Sequence, residues 1–504
     1  MDTVETDVLI IGAGLSGINI AYRLQEAFPD LSYLILERRE NLGGTWDLFR
    51  YPGVRSDSDV YTLSFPFHPF PGRDTIVAGG ELLDYLADTA QRFGIDRHIR
   101  YSTEVRAANW SSAEQRWTVT VAGPDGIGEL RTRFLISATG YYDYDHPHDP
   151  RFPGIEDFTG TVVHPQFWPS DLDYRDKRVV VIGSGATAIT IVPAIAEDAA
   201  EVTMLQRTPT YVLSRPRRDP SDGLLRRLLP AGPAHRAATV KNIVGNWALF
   251  QLARHFPAKV RALLLGRARR QVGPEAVEEH FTPPYNPWEQ RLCVASDGDL
   301  FRAVRNGSVR MVTDTVDRVV PEGIVTGSGE LIPADIIITA TGLSIKIFGD
   351  IDMIVDGEPV RVGERFAYLG ALLSGVPNFG YCIGYINLSW TVRSDATARL
   401  LTRVIGRLRD GDAAVVTPRL SEVRDSHPLM DMKSGYLARS VDRMPRTTGR
   451  YPWAMDKNVV RDLWAVSRAS LDNGLEWSGT RESDPAAVRS SRVRGPASSR
   501  SSGI

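Results

Sequence analysis

The sequence predicts an α/β fold built from two Rossmann-like dinucleotide-binding domains and a helical insertion. Two glycine-rich turns carry this prediction, Gly12-Ala-Gly14-Leu-Ser-Gly17 and Gly183-Ser-Gly185-Ala-Thr-Ala188, because each lies between an apolar strand and a helix. The strands before them are almost entirely apolar, as in parallel sheets covered by helices on both faces. A chain of 504 residues is long enough for two or three domains. Two such turns imply two bound dinucleotides.

The first unit has the elements of a βαβ motif. We predict a strand at 7–11, a helix at 18–26 and a second strand at 33–36. Gly12 permits a tight turn, Gly14 lets a pyrophosphate approach the helix N-terminus, and Gly17 allows close packing of the helix on the strand. Glu37 follows the second strand, where a carboxylate accepts hydrogen bonds from ribose hydroxyls and repels a 2′-phosphate. This arrangement suits the adenosine of FAD or NAD.

The second unit differs at the end of its second strand. We predict strands at 178–182 and 202–205, and the latter leads to Arg207. A cation at this place pairs with a 2′-phosphate, which favours NADPH over NADH, and Thr208 adds a hydroxyl contact. The alternative interpretation is an ordinary solvated arginine at a strand end.

The segments between and after these units predict a discontinuous first domain. Residues 104–121 alternate like antiparallel strands around Trp110 and Trp117, and 134–140 resembles a strand that returns to the first sheet. A second Ala-Thr-Gly sequence at 340–342 follows an apolar strand at 336–338 and a hairpin-like segment at 323–329. The chain therefore crosses back to the first domain near residue 340.

Composition excludes several classes of protein. Lys plus Arg number 59 against 61 Asp plus Glu, so the formal charge of -2 offers nothing to a nucleic acid. Cys293 and Cys382 are too few for a disulfide scaffold or a zinc cluster, and with His68 they have no spacing for a metal site. The acidic N-terminus lacks the basic region of a signal peptide, and no apolar run approaches the roughly 20 residues of a membrane span. We expect a reducing, cytoplasmic location and no metal.

Residues 240–272 leave two interpretations open. They mix large apolar side chains with many Arg and Lys, as in helices that lie on a membrane surface. The alternative, which we favour, is a helical excursion that packs on its own protein. The sequence leaves the oligomeric state open.

Between the two glycine-rich turns lies the segment FTGTVVHPQFWP, from Phe158 to Pro169. Its spacing, Phe-x-Gly-x-x-x-His-x-x-x-Trp-Pro, resembles the signature of the type I Baeyer-Villiger monooxygenases. Over about residues 5–480 the chain is similar to the mycobacterial ethionamide-activating FAD-containing monooxygenase subgroup, most densely in ENLGGTWDLFRYPGVRSDSDVYTL, FTGTVVHPQFWP, VVIGSGATAITIVPA, YNPWEQRLC and PADIIITATGL.

This resemblance implies an activity and its cofactors. NADPH would reduce FAD, and O2 would form a C4a-peroxyflavin that converts a small organic ketone to an ester or lactone. The subgroup also S-oxygenates sulfur-containing substrates such as thioethers and thioamides. An alternative is a flavin monooxygenase that acts mainly on soft sulfur or nitrogen.

The resemblance also implies roles for particular residues. Asp57 would orient Arg291, the catalytic cation that stabilises the peroxide anion and the oxyanion of the adduct. Gln290 departs from the lysine found here in many family members, which puts a second cationic contact to NADP in doubt. His164 would act in the linker between the nucleotide domains rather than at the flavin. Trp453 lies in a segment, 442–456, that resembles the mobile loop closing over NADP, although an ordinary interface tryptophan is the alternative.

Two other classes of protein share the nucleotide-binding motifs. A disulfide reductase needs a redox cysteine pair near the flavin, and Cys293 and Cys382 are far apart in the sequence. A non-catalytic flavoprotein sensor would have no need for both Asp57 and Arg291.

These predictions define a set of residues and a division of the chain. The candidate FAD-binding residues are Gly12, Gly14, Ser16, Gly17, Glu37, Gly44, Thr45, Trp46, Asp57 and Tyr61. The candidate NADPH-binding residues are Gly183, Gly185, Thr187, Ala188, Arg207, Thr208 and Trp453. The predicted segments are 1–150 and 339–482 for the FAD domain, 151–214 and 289–338 for the NADPH domain, 215–288 for the insertion and 483–504 for a disordered tail.

Overall fold

The computed structural model describes residues 4–290, 292–385, 387–423, 425–430, 439–456 and 458–480. The predicted catalytic Arg291 and the predicted disordered tail at 483–504 lie outside these residues.

The described residues form strands and helices with the following bounds. The strands are β1 (Val4–Ile11), β2 (Tyr33–Leu36), β3 (Ile99–Arg100), β4 (Glu104–Ser111), β5 (Arg116–Gly123), β6 (Gly126–Ser137), β7 (Thr161–Val163), β8 (Arg178–Ile182), β9 (Glu201–Gln206), β10 (Val212–Arg215), β11 (Cys293–Ser296), β12 (Val309–Thr313), β13 (Val316–Val320), β14 (Gly323–Thr326), β15 (Leu331–Pro333), β16 (Ile336–Thr339), β17 (Asp352–Val355), β18 (Glu358–Pro359), β19 (Ala367–Tyr368), β20 (Leu372–Leu373), β21 (Phe379–Tyr381), β22 (Val415–Pro418), β23 (His427–Pro428), β24 (Arg446–Thr447) and β25 (Leu475–Ser478). The helices are α1 (Leu15–Ala27), α2 (Thr45–Leu48), α3 (Val60–Leu63), α4 (Gly79–Arg92), α5 (Ala186–Ile195), α6 (Pro220–Leu228), α7 (Ala231–His255), α8 (Pro257–Val272), α9 (Pro274–His280), α10 (Asp299–Arg305), α11 (Trp390–Asp410) and α12 (Val459–Ser467).

The first sheet is parallel at its centre and antiparallel on one side. Strands β3, β2, β1 and β6 lie in this order and run parallel. The long strand β6 pairs antiparallel with β5 over its first half and parallel with β21 at its end. In the β4–β5 hairpin Trp110 lies directly opposite Trp117. The predicted antiparallel strands and the predicted return to the first sheet are therefore both present.

The second sheet is wholly parallel, with the order β12-β9-β8-β16-β7. Its strand β8 has the predicted bounds, and β16 enters the sheet beside it from far along the chain. Strands β13, β14 and β15 form a separate antiparallel meander, of which the predicted hairpin is one half. The chain then returns to the first sheet through β17 and β21, so the first domain is discontinuous as predicted. Two nucleotide-binding sheets thus share one chain.

The insertion is helical and packs on the second sheet. Helix α8 buries Val260, Leu264 and Ala268 in the same apolar core as Val179 of β8 and Phe301 of α10. Its neighbour α7 contacts α3 of the first domain. This packing buries part of the insertion against its own protein. Among the described residues, no helix combines the length and the apolar sequence that crossing a bilayer requires.

Candidate active site

A cavity opens at the carboxyl ends of β1, β2 and β6, where ligands bind in parallel α/β sheets. We call it the glycine-turn cavity. Seven predicted FAD-binding residues line it, namely Gly12, Gly14, Ser16, Glu37, Gly44, Thr45 and Trp46. The sequence motifs therefore converge on one place, although they come from separate segments.

Glycine is required at the first turn because the backbone is crowded there. Gly12 has φ +105°, and a Cβ on it would lie 2.7 Å from the Ala138 carbonyl oxygen. A Cβ on Gly17 would lie 1.9 Å from the Gly12 carbonyl oxygen, so Gly17 lies outside the cavity wall and serves packing, as predicted. Helix α1 begins at Leu15 rather than at the predicted Ile18, directly after Gly14. No side chain caps this helix start, which leaves its first-turn N–H groups available to a phosphate.

Glu37 is fixed at the far side of the glycine-turn cavity. The side chain is 5% exposed, and its two oxygens accept hydrogen bonds from the backbone N–H groups of Ala13 (2.8 Å) and Arg39 (2.9 Å). Burial raises the pKa of this carboxyl above its usual value, while the two N–H groups and nearby guanidinium groups oppose the shift. The backbone bonds hold the carboxylate where a ribose would reach it. The crowded glycine turn, the uncapped helix and this acceptor together fit a bound dinucleotide.

Aromatic residues that the sequence analysis missed complete this cavity. Trp390, at the start of α11, lines it and donates its indole N–H to the Ser16 hydroxyl at 2.8 Å. Tyr144 lies within hydrogen-bond distance of the Thr45 hydroxyl, at 3.2 Å, and burial raises the pKa of Tyr144 to about 12. Trp390 is separated from Ser16 by more than three hundred residues, so no local spacing signals the contact.

The second turn has the same geometry around the second sheet. Gly183 has φ +142°, and a Cβ on it would lie 2.3 Å from the Ala340 carbonyl oxygen. Gly185 faces open space and precedes α5, which also begins without a side-chain cap. Ala188, at the third position of the motif, is buried in the second core. Thr187 bonds through its hydroxyl to the phenol of Tyr51, which links the second unit to the first; burial raises the pKa of that phenol.

Arg207 is exposed just past the end of β9, beside the second turn. The Ser184 hydroxyl donates to the Thr208 carbonyl at 2.8 Å, which holds this strand end against the glycines. Within the described chain no carboxylate forms an ion pair with the Arg207 guanidinium. The predicted contact of Arg207 with a 2′-phosphate stays a prediction, and the exposed guanidinium leaves it available.

The segment from Phe158 to Pro169, which we call the fingerprint segment, forms the edge of the second sheet. Its strand β7 pairs with β16, and His164 follows directly. The Nδ1 atom of His164 accepts from the Gln166 N–H at 3.1 Å, so Nε2 is assigned the proton that it donates to the Gly342 carbonyl at 3.3 Å. Burial lowers the pKa of His164, which favours this neutral form. His164 therefore joins the fingerprint to the crossing point at 340–342.

A second cavity lies where the segment around Asp57 meets the insertion. We call it the Asp57 cavity; its wall includes Asp57, Thr62, Leu213, Arg215, Asn246, Leu249, Trp288, Leu292, Val294, Asn387, Leu388 and Ser389. It adjoins the glycine-turn cavity, because Thr62 and Ser389 line the one while their chain neighbours Leu63 and Trp390 line the other. Leu292, the residue after Arg291, also lines it. The structure thus brings Asp57 to the chain segment that contains the predicted catalytic arginine.

Arg215 is a cation in the Asp57 cavity that the sequence analysis did not single out. It ends β10, and its guanidinium donates to the side-chain oxygen of Asn246 in α7 at 2.7 Å. Nothing in the local sequence indicates this partner, which comes from the insertion. Arg215 places a positive charge in the same cavity as Asp57.

Two predicted cofactor-binding residues lie elsewhere. Tyr61 is 3% exposed and lines a separate groove between α3, α7, α11 and α12, with its ring 5.4 Å from that of His235. Trp453 is buried in the core of the first domain, edge-on to Tyr368 at 5.4 Å. Neither lines the glycine-turn cavity or the Asp57 cavity, and their cofactor roles stay predictions.

One cluster in the described part of the chain has the ligand spacing of a metal site. The ligand atoms of Asp143, Asp145 and His146 lie within 4.8 Å of one another. Arg38 already binds both oxygens of Asp145, each at 2.9 Å, and Lys346 lies 3.3 Å away. These cations hold the pKa of Asp145 at about 2, so its charge is already matched.

Comparison with known proteins identifies the family. Residues 9–224 match the profile of the pyridine nucleotide-disulphide oxidoreductases. Over 481 residues the chain is 46% identical to the FAD-containing monooxygenase EthA of Mycobacterium tuberculosis, covering 94% of this chain and 98% of that protein. It is 44% identical to the putative FAD-containing monooxygenase MymA of the same species, covering 93% and 96%. The two-domain architecture with these motifs is that of a flavin monooxygenase, and the chain belongs to the family of FAD-containing monooxygenases that includes EthA.

Solved structures share the fold. A steroid monooxygenase bound to NADP matches with a TM-score of 0.75 at 23% identity, covering 94% of this chain and 99% of that one. An open structure of cyclohexanone monooxygenase matches with a TM-score of 0.73 at 19% identity, covering 95% and 100%. These matches confirm the predicted fold class, and the sequence relatives confirm the predicted family. These sequence relatives do not support the disulfide-reductase alternative, because the proteins that match over almost their full length are named as monooxygenases. Cys293 and Cys382, the two cysteines of the chain, are both buried.

Proposed function

We propose that this enzyme binds FAD in the glycine-turn cavity and NADPH at the second turn, and inserts one atom of O2 beside the carbonyl of a small organic ketone. The product is an ester or a lactone, and water is released. The same site would S-oxygenate thioethers or thioamides. Bound flavin supplies the activated oxygen, and NADPH supplies the electrons.

The observation that carries this proposal is the position of Asp57. It lies in a cavity of its own that adjoins the glycine-turn cavity, and the wall of this cavity combines several aliphatic side chains with the polar Arg215 and Asn246 of the insertion. An apolar wall suits a ketone and keeps water from the reacting atoms. Arg291, oriented by Asp57, would stabilise the negative charge that develops on oxygen during attack on the carbonyl. Arg215 adds to the positive potential of the same cavity.

The cofactor assignment rests on the charges at the two strand ends. Buried Glu37 provides a carboxylate for a ribose that carries no 2′-phosphate, as in FAD. Exposed Arg207 provides a cation for a ribose that carries one, as in NADPH. The two units are therefore not interchangeable.

Isotope-labelled oxygen tests the proposal directly. Purified FAD-loaded protein is incubated with NADPH, 18O2 and 2-heptanone, and the products are analysed by mass spectrometry. We expect an ester that carries one 18O atom, with one NADPH consumed for each ester formed. Oxidation of NADPH with release of hydrogen peroxide alone would contradict the proposal. Sulfoxide from a thioether with no ester from any ketone would instead support the alternative, a monooxygenase of soft sulfur or nitrogen.

We also propose that the enzyme rests on an anionic membrane surface through the insertion. Four apolar side chains on α7 and α12 form what we call the apolar rim, namely Val240 (60% exposed), Val244 (49%), Val460 (50%) and Trp464 (62%). Ile243 and Leu463, from the same two helices, pack against one small core. In residues 215–288 Lys and Arg outnumber Asp and Glu by more than two to one. Exposed apolar side chains amid basic ones are typical of membrane-surface contacts.

A further inference from the structure

The Asp57 cavity contains two polar groups that the fold does not use. Five aliphatic side chains form much of its wall, namely Leu213, Leu249, Leu292, Val294 and Leu388. Trp288 and Ser389 line the same cavity. Each ends in a hydrogen-bond donor, and each donor is buried without a partner in the described chain.

Trp288 is unusual in both its backbone and its side chain. Its φ is +69°, in the left-handed region that bulky residues rarely adopt. Its ring is held edge-on against Phe250 of α7, with the ring centroids 5.5 Å apart. The indole Nε1 atom is buried, and no acceptor in the described residues lies within hydrogen-bond distance. Because nearly all buried donors in proteins are paired, this one indicates an acceptor that arrives from outside the chain.

Ser389, at the start of another element, also has a buried donor without a partner in the described chain. It is 2% exposed and precedes α11, where a serine ordinarily caps the helix. Its hydroxyl makes no capping bond here, and its Oγ atom has no partner among the described residues. The hydroxyl is therefore available to the cavity.

We propose that the Trp288 indole N–H and the Ser389 hydroxyl bind the carbonyl oxygen of the substrate in the Asp57 cavity. An indole nitrogen donates and cannot accept, so it selects for an acceptor such as a carbonyl oxygen. The aliphatic wall selects for uncharged alkyl substituents on both sides of that carbonyl. The substrate class is thus an uncharged aliphatic ketone. This inference rests on the proposed function for the location of the chemistry, but its binding step does not depend on oxygen transfer.

Ligand binding to the oxidised, FAD-loaded protein tests the inference without NADPH. The ligands are 2-heptanone and the thioether of similar shape, methyl pentyl sulfide, whose sulfur is a poor acceptor. Calorimetric titration gives the Kd of each for the wild type, Trp288→Phe and Ser389→Ala. We expect either substitution to weaken ketone binding about tenfold, as for one lost buried hydrogen bond, and to change thioether binding less than twofold. Trp477→Phe, which removes an indole donor on β25 outside the cavity, is the matched control and leaves both Kd values unchanged.

The outcomes separate this inference from the proposed function. Equal weakening of ketone and thioether binding in both variants, or unchanged ketone binding in both, would overturn the donor roles. Ser389→Ala keeps the test valid if Trp288→Phe fails to fold, because it removes only a hydroxyl group. A wild type that binds ketone through these donors but yields no labelled ester would contradict the proposed function and leave the binding inference standing.

Discussion

At the scale of single residues, we expect the charge at the end of a strand to decide which dinucleotide each unit accepts. Glu37 and Arg207 occupy equivalent places in two copies of one motif, and they differ in burial as well as in sign. The carboxylate is fixed by two backbone N–H groups, whereas the guanidinium is exposed and has no carboxylate partner in the described residues. A fixed acceptor suits neutral hydroxyls, and a mobile cation suits a doubly charged phosphate.

Removal of the cation should therefore affect one nicotinamide cofactor only. We expect Arg207→Ala to raise the KM for NADPH about 10- to 100-fold, the range for one lost charged hydrogen bond, and to leave the KM for NADH within twofold. Steady-state oxidation of each cofactor measures this. Arg175→Ala, an exposed arginine outside the second turn, is the control. An equal loss with both cofactors would reject the 2′-phosphate contact.

The pair of Asp57 and Arg291 should act on oxygen transfer rather than on flavin binding. We expect Arg291→Ala to keep bound FAD and its reduction by NADPH, but to lower ester formation about 100- to 1000-fold, because the developing oxyanion loses its fixed positive charge. Asp57→Asn should also lower ester formation, but by less, because the arginine is still present. Product yield per NADPH, with hydrogen peroxide measured in parallel, distinguishes this from a loss of cofactor. Ester formation by Arg291→Ala at the wild-type rate would refute the assignment.

At the scale of elements, the fingerprint is a strand edge with a histidine at its end. Strand β7 is short, and His164 bonds it to the carbonyl of Gly342, where the chain crosses back to the first domain. Because burial lowers the pKa of His164 below its usual value near 6.5, the folded protein holds it neutral. The contribution of this histidine to stability is therefore fully present above about pH 6.5, and is lost as the pH falls from there through the lowered pKa.

Substitution at His164 should change both stability and its pH dependence. We expect His164→Gln to lower the urea midpoint at pH 7.5 by the equivalent of about 1 kcal/mol, the value of one hydrogen bond. The variant should lose less stability than the wild type between pH 7.5 and pH 5.5, because it has no imidazole to protonate there. Urea unfolding followed by flavin fluorescence and circular dichroism measures both. Exposed His146→Gln is the control, and parallel pH profiles for wild type and His164→Gln would contradict this role.

The elements whose bounds the sequence predicted well are those that end at a characteristic residue or turn. Strand β8 has the predicted bounds because a glycine turn ends it, and β2 has them because Glu37 follows. Helix α1 starts three residues earlier than predicted, since Gly14 with an extended backbone can precede a helix directly. The contacts of Trp390 with Ser16 and of Arg215 with Asn246 were not predictable, because they join segments that are distant in the sequence. Tyr61 and Trp453 show the same limit: their motif positions did not indicate the cores in which they are buried.

At the scale of the whole molecule, a chain with almost balanced charge has a strongly basic insertion. The formal charge of -2 hides this asymmetry, because the acidic residues lie mainly outside residues 215–288. The apolar rim lies on the outer side of α7 and α12, and Arg468 stands over the ring of Trp464 at 5.9 Å. Two rim residues, Val240 and Trp464, also line the groove that contains Tyr61. Thr62 lines both this groove and the Asp57 cavity. The proposed membrane contact and the proposed substrate site therefore lie on adjoining parts of the molecule.

Vesicle flotation tests the membrane contact. We expect the wild type to float with phosphatidylglycerol vesicles and to remain in solution with phosphatidylcholine vesicles, because basic residues near the rim require anionic headgroups. Raising the salt to about 0.5 M should weaken flotation by screening these charges, and Val240→Ser with Trp464→Ser should lower it about fivefold by removing the apolar contact. Ile127→Ser is the matched control, since Ile127 is 79% exposed on β6 and lies outside the insertion. If the wild type floats with neither kind of vesicle, or if the rim and control substitutions have equal effects, the rim does not bind membranes. Size-exclusion chromatography of the same variants then shows whether it joins two copies of the chain instead.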